Sequence, residues 1–210
     1  MILGPILPRS FYARSTVEVA RALLGKVLVH GPTAGIIVET EAYLGGDDLA
    51  AHSARGLTER TRVIFGPPGH AYVYLIYGMY QCLNLVAEAN GRPGCVLIRA
   101  LQPVSGVDLM RARRGAARPL EQLANGPGKL TLALGITRAH NGTDVTRGAL
   151  VVRQAPGAGA IEIAVTPRIG ITRAAELPLR FLVAGSGFVS ARRWVGHASA
   201  CQPAEGRSRR

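Results

Sequence analysis

Between residues 35 and 44 the chain reads Gly-Ile-Ile-Val-Glu-Thr-Glu-Ala-Tyr-Leu, and this alternation constrains the fold more than any other stretch. β-Branched residues at a period of two favour an extended strand over a helix. The period puts Ile36, Val38, Thr40, Ala42 and Leu44 on one face and Ile37, Glu39, Glu41 and Tyr43 on the other. Same-face Cβ atoms step about 6.5–7 Å along a strand, so two carboxylates and a phenol share one surface. Two readings fit it. One is the solvated face of an edge strand. The other is a reactive site with paired carboxylates, although glycoside chemistry usually draws its two carboxylates from different elements.

The surrounding segments supply the rest of a small α+β domain. Ser15-Thr-Val-Glu18 has capping-box spacing, Ala20, Leu23 and Leu24 form an apolar stripe and Gly25 stops the turn, so one short helix opens the domain. Residues 26–30 alternate like a strand and pair, across Pro32, with residues 35–44 as a hairpin. Residues 45–69 form a polar, Gly- and Pro-rich connection of the length that usually carries function. Residues 71–77 and 80–87 are β-rich runs about Gly78-Met79, short enough for a tight hairpin. A buried strand is expected at 95–101, a basic helix at 107–114, and a helix from Gly126-Pro-Gly-Lys129 to Leu134 with its proline in the first turn. Later strands are expected at 149–153, 161–166 and 179–183. Hairpin-linked strands with inserted helices predict a single α+β domain over residues 1–200, built on a curved, mostly antiparallel sheet with a protruding β-hairpin. Residues 201–210 read as a disordered tail.

Charge narrows the partners. The 210 residues carry 25 Lys and Arg against 13 Asp and Glu, a formal net charge of +12. That field favours a polyanion, nucleic acid before an anionic membrane surface. Only Lys26 and Lys129 are lysines; the arginine excess fits either bidentate phosphate contacts or a GC-rich coding bias. Cys82, Cys95 and Cys201 include no Cys-x-x-Cys pair, which argues against a disulfide framework, a zinc ribbon or an iron–sulfur cluster. The first eight residues lack a basic n-region and contain Pro5 and Pro8, unlike a signal peptide, and no apolar run reaches roughly 18 residues. A cytoplasmic protein is expected.

Five of the six tyrosines fall between residues 43 and 80. Tyr72 and Tyr74 share a strand face, while Tyr77 and Tyr80 flank the hairpin tip, where a large ring has little core to fill. Aromatics at such a tip beside a basic surface suit a nucleic-acid wedge or stacking platform. For Tyr72 and Tyr80 an ordinary strand role fits equally well.

Several blocks taken together resemble one family. Val38-Glu-Thr-Glu-Ala-Tyr-Leu-Gly45, His52, Gly66-Pro-Pro-Gly-His-Ala-Tyr-Val-Tyr74, Tyr77-Gly-Met-Tyr80 through Asn84, Val96-Leu-Ile-Arg-Ala100 and Asn125-Gly-Pro-Gly-Lys-Leu130 occur in the order found in the alkyladenine (3-methyladenine) DNA glycosylases and span most of residues 5–185. The resemblance implies a monofunctional enzyme of base excision repair, without metal or cofactor. It would act as a monomer, nucleoid-associated in a bacterium, flipping alkylated or deaminated purines such as hypoxanthine from duplex DNA and hydrolysing the N-glycosidic bond. It places the general base on Glu41, aided by Arg99. Tyr43, His52 and Tyr74 would stack around the extruded base, Asn84 would crowd the 2-amino group of guanine, and Tyr77 would fill the gap in the duplex. Arg60, Arg62, Met79, Tyr80 and Lys129 would meet the DNA backbone.

The chain departs from the family pattern after His52. Where the family runs Arg-Asn and then Met-Phe, this chain has Arg60-Thr61 and Ile64-Phe65, and Glu59 is an acid beside an expected DNA contact. Each residue also has a plainer reading. Arg99 interrupts an apolar strand and needs a carboxylate partner in Glu41 or Glu39. His52 and Asn84 fit satisfied structural positions, and residues 126–129 fit a helix cap as well as a phosphate site. A nucleic-acid-binding module that stacks bases on tyrosines, and a small-substrate glycosidase using Glu39 and Glu41, are the alternative functions.

Overall fold

In the computed structural model, which describes residues 3–89, 91–157 and 159–190, the capping box at Ser15 forms as the sequence predicts. The Ser15 Oγ accepts the Glu18 N–H at 3.4 Å while the Glu18 carboxylate accepts the Ser15 N–H at 3.2 Å. These bonds start α2 (Thr16–Leu23), whose Val19, Ala20 and Leu23 are fully buried. Sequence reading missed the single-turn α1 (Arg9–Tyr12) that precedes it.

Among the described residues the eight strands are β1 (Val27–His30), β2 (Thr33–Tyr43), β3 (Ala71–Ile76), β4 (Tyr80–Val86), β5 (Cys95–Ser105), β6 (Leu150–Arg153), β7 (Ile163–Thr166) and β8 (Arg180–Val183). They form one curled antiparallel sheet in the order β3-β4-β5-β2-β1-β6, with β8 added on β2 and β7 on β8. With α3 (Val107–Arg114) and α4 (Pro127–Leu134), this is the expected α+β architecture. The main core gathers Leu23, Ile37, Ile98, Leu101, Met110 and Leu130 from helices and sheet. Among the described residues no helix is long and apolar enough to cross a membrane. The expected tail at 201–210, with Cys201, lies outside the described residues, as does the end of the expected domain at 191–200.

Strand β2 is not the solvated edge that one reading of its alternation allowed. It pairs with β5 along one side and with β1, then β8, along the other, so Glu39 and Glu41 have neighbours on both flanks and are fully buried. Strict alternation fails as well. Ile37 pairs with Leu101 and Glu39 with Ala100, leaving Val38 as an extra residue on β2; Thr40 then pairs with Ile98, leaving Arg99 extra on β5. Such bulges re-aim side chains. Ile37 consequently joins Ala42 in the core instead of sharing a face with the glutamates, and Thr40 donates to the Ala20 carbonyl at 2.9 Å, which ties β2 to α2.

Strand β5 also runs beyond the expected 95–101, through Pro103. A proline is tolerated there because the ladder shifts register between Ala34 and Gly35, opposite it. A Cβ at Gly35 would lie 2.8 Å from the Leu101 Cβ and 3.1 Å from the Gln102 carbonyl oxygen. The strands thus meet through a glycine. Gly35→Ala should lower the unfolding free energy by about 1–3 kcal/mol in urea denaturation; an unchanged midpoint would show that β2 and β5 can separate freely at this point.

Candidate active site

Four buried charges sit where β2, β5 and β8 meet. From its bulged position Arg99 spans both glutamates: Nε donates to Glu39 Oε1 and Nη1 to Glu41 Oε2, each at 3.1 Å, and Nη2 donates to Ser190 Oγ at 3.2 Å. Glu39 also accepts Arg180 Nε at 2.7 Å, the Ser190 N–H at 2.5 Å and the Ser190 hydroxyl at 2.8 Å. Its carboxylate therefore holds four donors. Glu41 accepts the Ile169 N–H at 2.8 Å and the Tyr43 hydroxyl at 3.0 Å besides Arg99. Burial opposes the charge on Arg99, but Glu41 and Glu39 more than offset it and raise its pKa above the ordinary value. Two guanidinium groups balance two carboxylates. Removing one member would strand a buried charge at a cost of about 3–5 kcal/mol.

Next to this cluster, the connection at 45–69 closes over β3 and β4. The expected pocket residues Tyr43, His52, Tyr74 and Asn84 all line one small cavity of about 60 Å³, joined by Ile64, Tyr72 and Cys95. Two single turns, His52–Arg55 and Arg62–Phe65, fix this wall. His52 Nδ1 lies 3.0 Å from the Tyr72 hydroxyl, and its ring meets Tyr74 edge-on with centroids 4.6 Å apart. Burial, then the charges of Arg60 and Arg55, push the His52 pKa down to about 4, so the ring is neutral at pH 7. Asn84 Nδ2 donates to the Tyr72 carbonyl at 3.2 Å and its Oδ1 faces the Cys95 thiol at 3.9 Å. Tyr43 belongs to both parts of the site, with its ring in the cavity and its hydroxyl on Glu41.

A wider groove opens beside the cavity, lined by Tyr77, Tyr80, Cys82, Arg99, Arg114 and Lys129, among others. Lys129 stands in the first turn of α4 and donates to Asn125 Oδ1 at 2.9 Å. Partial burial and the charges of Arg114 and Arg118 lower its pKa from the usual lysine value. Gly128 permits this approach, because a Cβ there would lie 2.9 Å from the Tyr80 Cβ. The hairpin tip rises above the groove. Its turn comprises three residues rather than Gly78-Met79 alone: β3 ends at Ile76, and Tyr77 takes a left-handed φ of 52° while 79% exposed. Met79 and Tyr80 are exposed as well.

The remaining expected contacts lie on the 45–69 connection. Arg60 is exposed and 5.6 Å from the Tyr74 ring centroid, whereas the Arg62 guanidinium is engaged by Glu59. The departure at Thr61 has a local explanation: its Oγ1 accepts the Thr58 N–H at 2.8 Å and donates to the Gly56 carbonyl at 2.9 Å, so it builds the turn. Ile64 is buried in the cavity wall.

Sequence reading missed Arg180, Ser190, Arg168 and Asp48. Arg180 carries the same signal as Arg99, a lone arginine in an apolar strand. Ser190 and the Ile169 N–H carry none. Arg168 and Asp48 form a buried bidentate pair 120 positions apart in sequence, and Arg168 lies 4.7 Å from the Tyr43 ring centroid. Among the described residues no group of three or more His, Cys, Asp or Glu side chains is placed to hold a metal ion.

Buried, arginine-paired carboxylates beside an aromatic cavity and a basic groove are features of a DNA glycosylase, a hydrolase of N-glycosyl bonds. The family model described as Methylpurine-DNA glycosylase (MPG) matches residues 10–187, and the chain belongs to that family. Relatives named "Putative 3-methyladenine DNA glycosylase" include one from Methanoculleus marisnigri, 56% identical over 192 residues, covering 89% of this chain and 99% of the relative. Those from Methanocella arvoryzae and Koribacter versatilis are 54% and 50% identical, covering 84% and 90% of this chain and 90% and 95% of their own lengths.

His52 links the site to pH. Below pH 6.5 an unfolded histidine takes up a proton, whereas in the folded protein His52 resists protonation until about pH 4, so its contribution to stability is present above 6.5 and lost as pH falls towards 4. His52→Gln should therefore flatten the fall in stability across that window, measured by urea midpoints at successive pH values. An unaltered slope would place the acid-sensitive group elsewhere.

Proposed function

We propose that the protein excises damaged purines from duplex DNA by flipping them into the cavity and hydrolysing the N-glycosidic bond, with Glu41 as general base. The observation that carries this reading is the bridge made by Tyr43: the ring that walls the cavity holds, through its hydroxyl, the carboxylate beside it. A base stacked on Tyr43 would bring its sugar towards Glu41. Glu41 would take a proton from water as the oxygen attacks C1′, and the bonding pair of the C1′–N bond would leave with the base. An alkylated, cationic purine departs neutral by this route; a neutral purine such as hypoxanthine requires a proton as well. The carboxylate also opposes the positive charge that develops on the sugar.

The hydrogen bonds support separate roles for the two glutamates. Glu39, with four donors, is the anchor that orients Arg99, which in turn orients Glu41. Asn84, held by the Tyr72 carbonyl, would crowd the 2-amino group of guanine, while Lys129, Arg60, Arg62, Met79 and Tyr80 would lie along the backbone. The sequence contains only two lysines, Lys26 and Lys129, and an abasic-lyase step normally uses an amine nucleophile, so a monofunctional hydrolase is the simpler assignment.

Duplexes bearing hypoxanthine, 3-methyladenine, ethenoadenine, 7-methylguanine or uracil, scored for free base, test the reading, and release of none of them would sink it. Glu41→Gln should keep duplex binding and lose roughly 10²–10⁴-fold in single-turnover excision. Glu39→Gln should mainly cost stability, by about 3–5 kcal/mol. If folded Glu39→Gln loses more excision than Glu41→Gln, the two roles are reversed.

Tyr77 is the proposed wedge, and its backbone supports that role. A bulky residue at positive φ costs about 1–3 kcal/mol, and an exposed ring regains little of that by burial. Asparagine tolerates this conformation better. Tyr77→Asn should therefore hold or raise the melting temperature while reducing excision, more for well-paired than for mispaired lesions. A drop in melting temperature with equal losses on both duplexes would assign Tyr77 to hairpin stability instead.

A further inference from the structure

Stacking a cation on tyrosine depends on the negative face of the ring. In this pocket two of the rings already have a guanidinium close by. Arg168 lies 4.7 Å from the Tyr43 ring centroid and Arg60 lies 5.6 Å from that of Tyr74, yet neither arginine lines the cavity between those rings. Arg60 stands instead in the adjoining grooves, beside Tyr72 and Tyr74 on one side and His52 on the other.

The two differ in compensation. Asp48 holds Arg168 in a buried bidentate pair, which cancels most of its charge at a distance. Arg60 has no carboxylate partner among the described residues, because the adjacent carboxylate of Glu59 engages Arg62; its side chain faces the neutral Tyr72 hydroxyl. The turn that carries Arg60 is fixed by Thr61, through its bonds to the Thr58 N–H and the Gly56 carbonyl. Among the described residues no acid lines the cavity itself, and Glu41 is taken up by Arg99, Tyr43 and the Ile169 N–H, and Glu39 by Arg99, Arg180 and Ser190.

We infer that Arg60 is a specificity-determining residue that biases the pocket towards neutral purines and against cationic ones, acting through the Tyr74 ring and the local positive potential, whereas Arg168, neutralised by Asp48, contributes little. The inference rests on the base-flipping function proposed above and adds the charge class of the preferred lesion. The depressed pKa of His52, to which Arg60 and Arg55 contribute after burial, reports the same positive potential at a second point of the wall. A cationic base entering the cavity meets the like charge of Arg60 beside the Tyr74 ring, whereas hypoxanthine or an etheno-adduct loses nothing. At a separation of roughly 8 Å and an effective dielectric between protein surface and water, that repulsion corresponds to about a three- to ten-fold change in relative rate.

The test compares single-turnover release of 3-methyladenine, whose nucleoside is cationic, with release of hypoxanthine from otherwise identical duplexes. Arg60 is exposed, so its substitution leaves the core intact. Arg60→Met should raise the ratio of 3-methyladenine to hypoxanthine release about three- to ten-fold, while Arg60→Lys should keep it near the wild-type value. Any loss of DNA contact affects both lesions alike and cancels in the ratio. An unchanged ratio in Arg60→Met overturns the inference, as does an equal rise in the Met and Lys variants, which would make the planar group rather than the charge responsible. Release of neither base by the wild-type protein is a separate failure, that of the glycosylase function itself.

Discussion

A single buried guanidinium organises this protein. Arg99 touches Glu39, Glu41 and Ser190 and joins β5 to β2 and to the segment after β8. A cluster of this kind is stable only when every member is paired. The bulges on β2 and β5 follow from that requirement: they turn Arg99 and the glutamates towards one another while Ile37, Ile98 and Leu101 remain in the core. Packing on one side of the sheet and ion pairing on the other are therefore set by the same local irregularity.

The same arrangement separates two carboxylates that look equivalent in sequence. Glu39 faces both Arg99 and Arg180, and Glu41 faces Arg99, a backbone N–H and a phenol. The more heavily bonded acid suits a fixed anchor. The other, joined to the cavity through Tyr43, suits proton transfer. Around them the aromatic pocket has a neutral histidine and guanidinium groups close to two rings, and the hairpin carries an exposed tyrosine on a strained backbone. Each of these features costs stability or lacks a packing role, which is where a folded chain departs from its local preferences for the sake of function.

Much of this was legible in the residues. Alternation marked β2, a lone arginine in an apolar run marked Arg99, and the crowding of tyrosines marked the cavity and hairpin. What escaped had no local signature. A bulge inserts a residue without changing composition, so the facing of Ile37 could not be read from a period of two. The Ile169 and Ser190 N–H groups are backbone donors that every residue but proline possesses, and nothing in the local sequence brings the Ser190 hydroxyl to Glu39. The Arg168–Asp48 pair spans 120 positions, and only the tertiary fold brings it against Tyr43. At the hairpin, Gly78 drew the turn to itself in sequence, whereas the turn begins one residue earlier, at the tyrosine.

The central claim is that Arg99 leaves one carboxylate as an anchor and points the other at the bond to be broken. It is tested most directly by a crystal structure with duplex DNA carrying an uncleavable purine nucleotide flipped into the cavity. The account predicts an ordered water in hydrogen-bonding contact with Glu41 and in line with C1′, with Glu39 still enclosed by Arg99, Arg180 and Ser190. A water held by Glu39 instead, or a sugar positioned away from Glu41 with its base in the cavity, would contradict it.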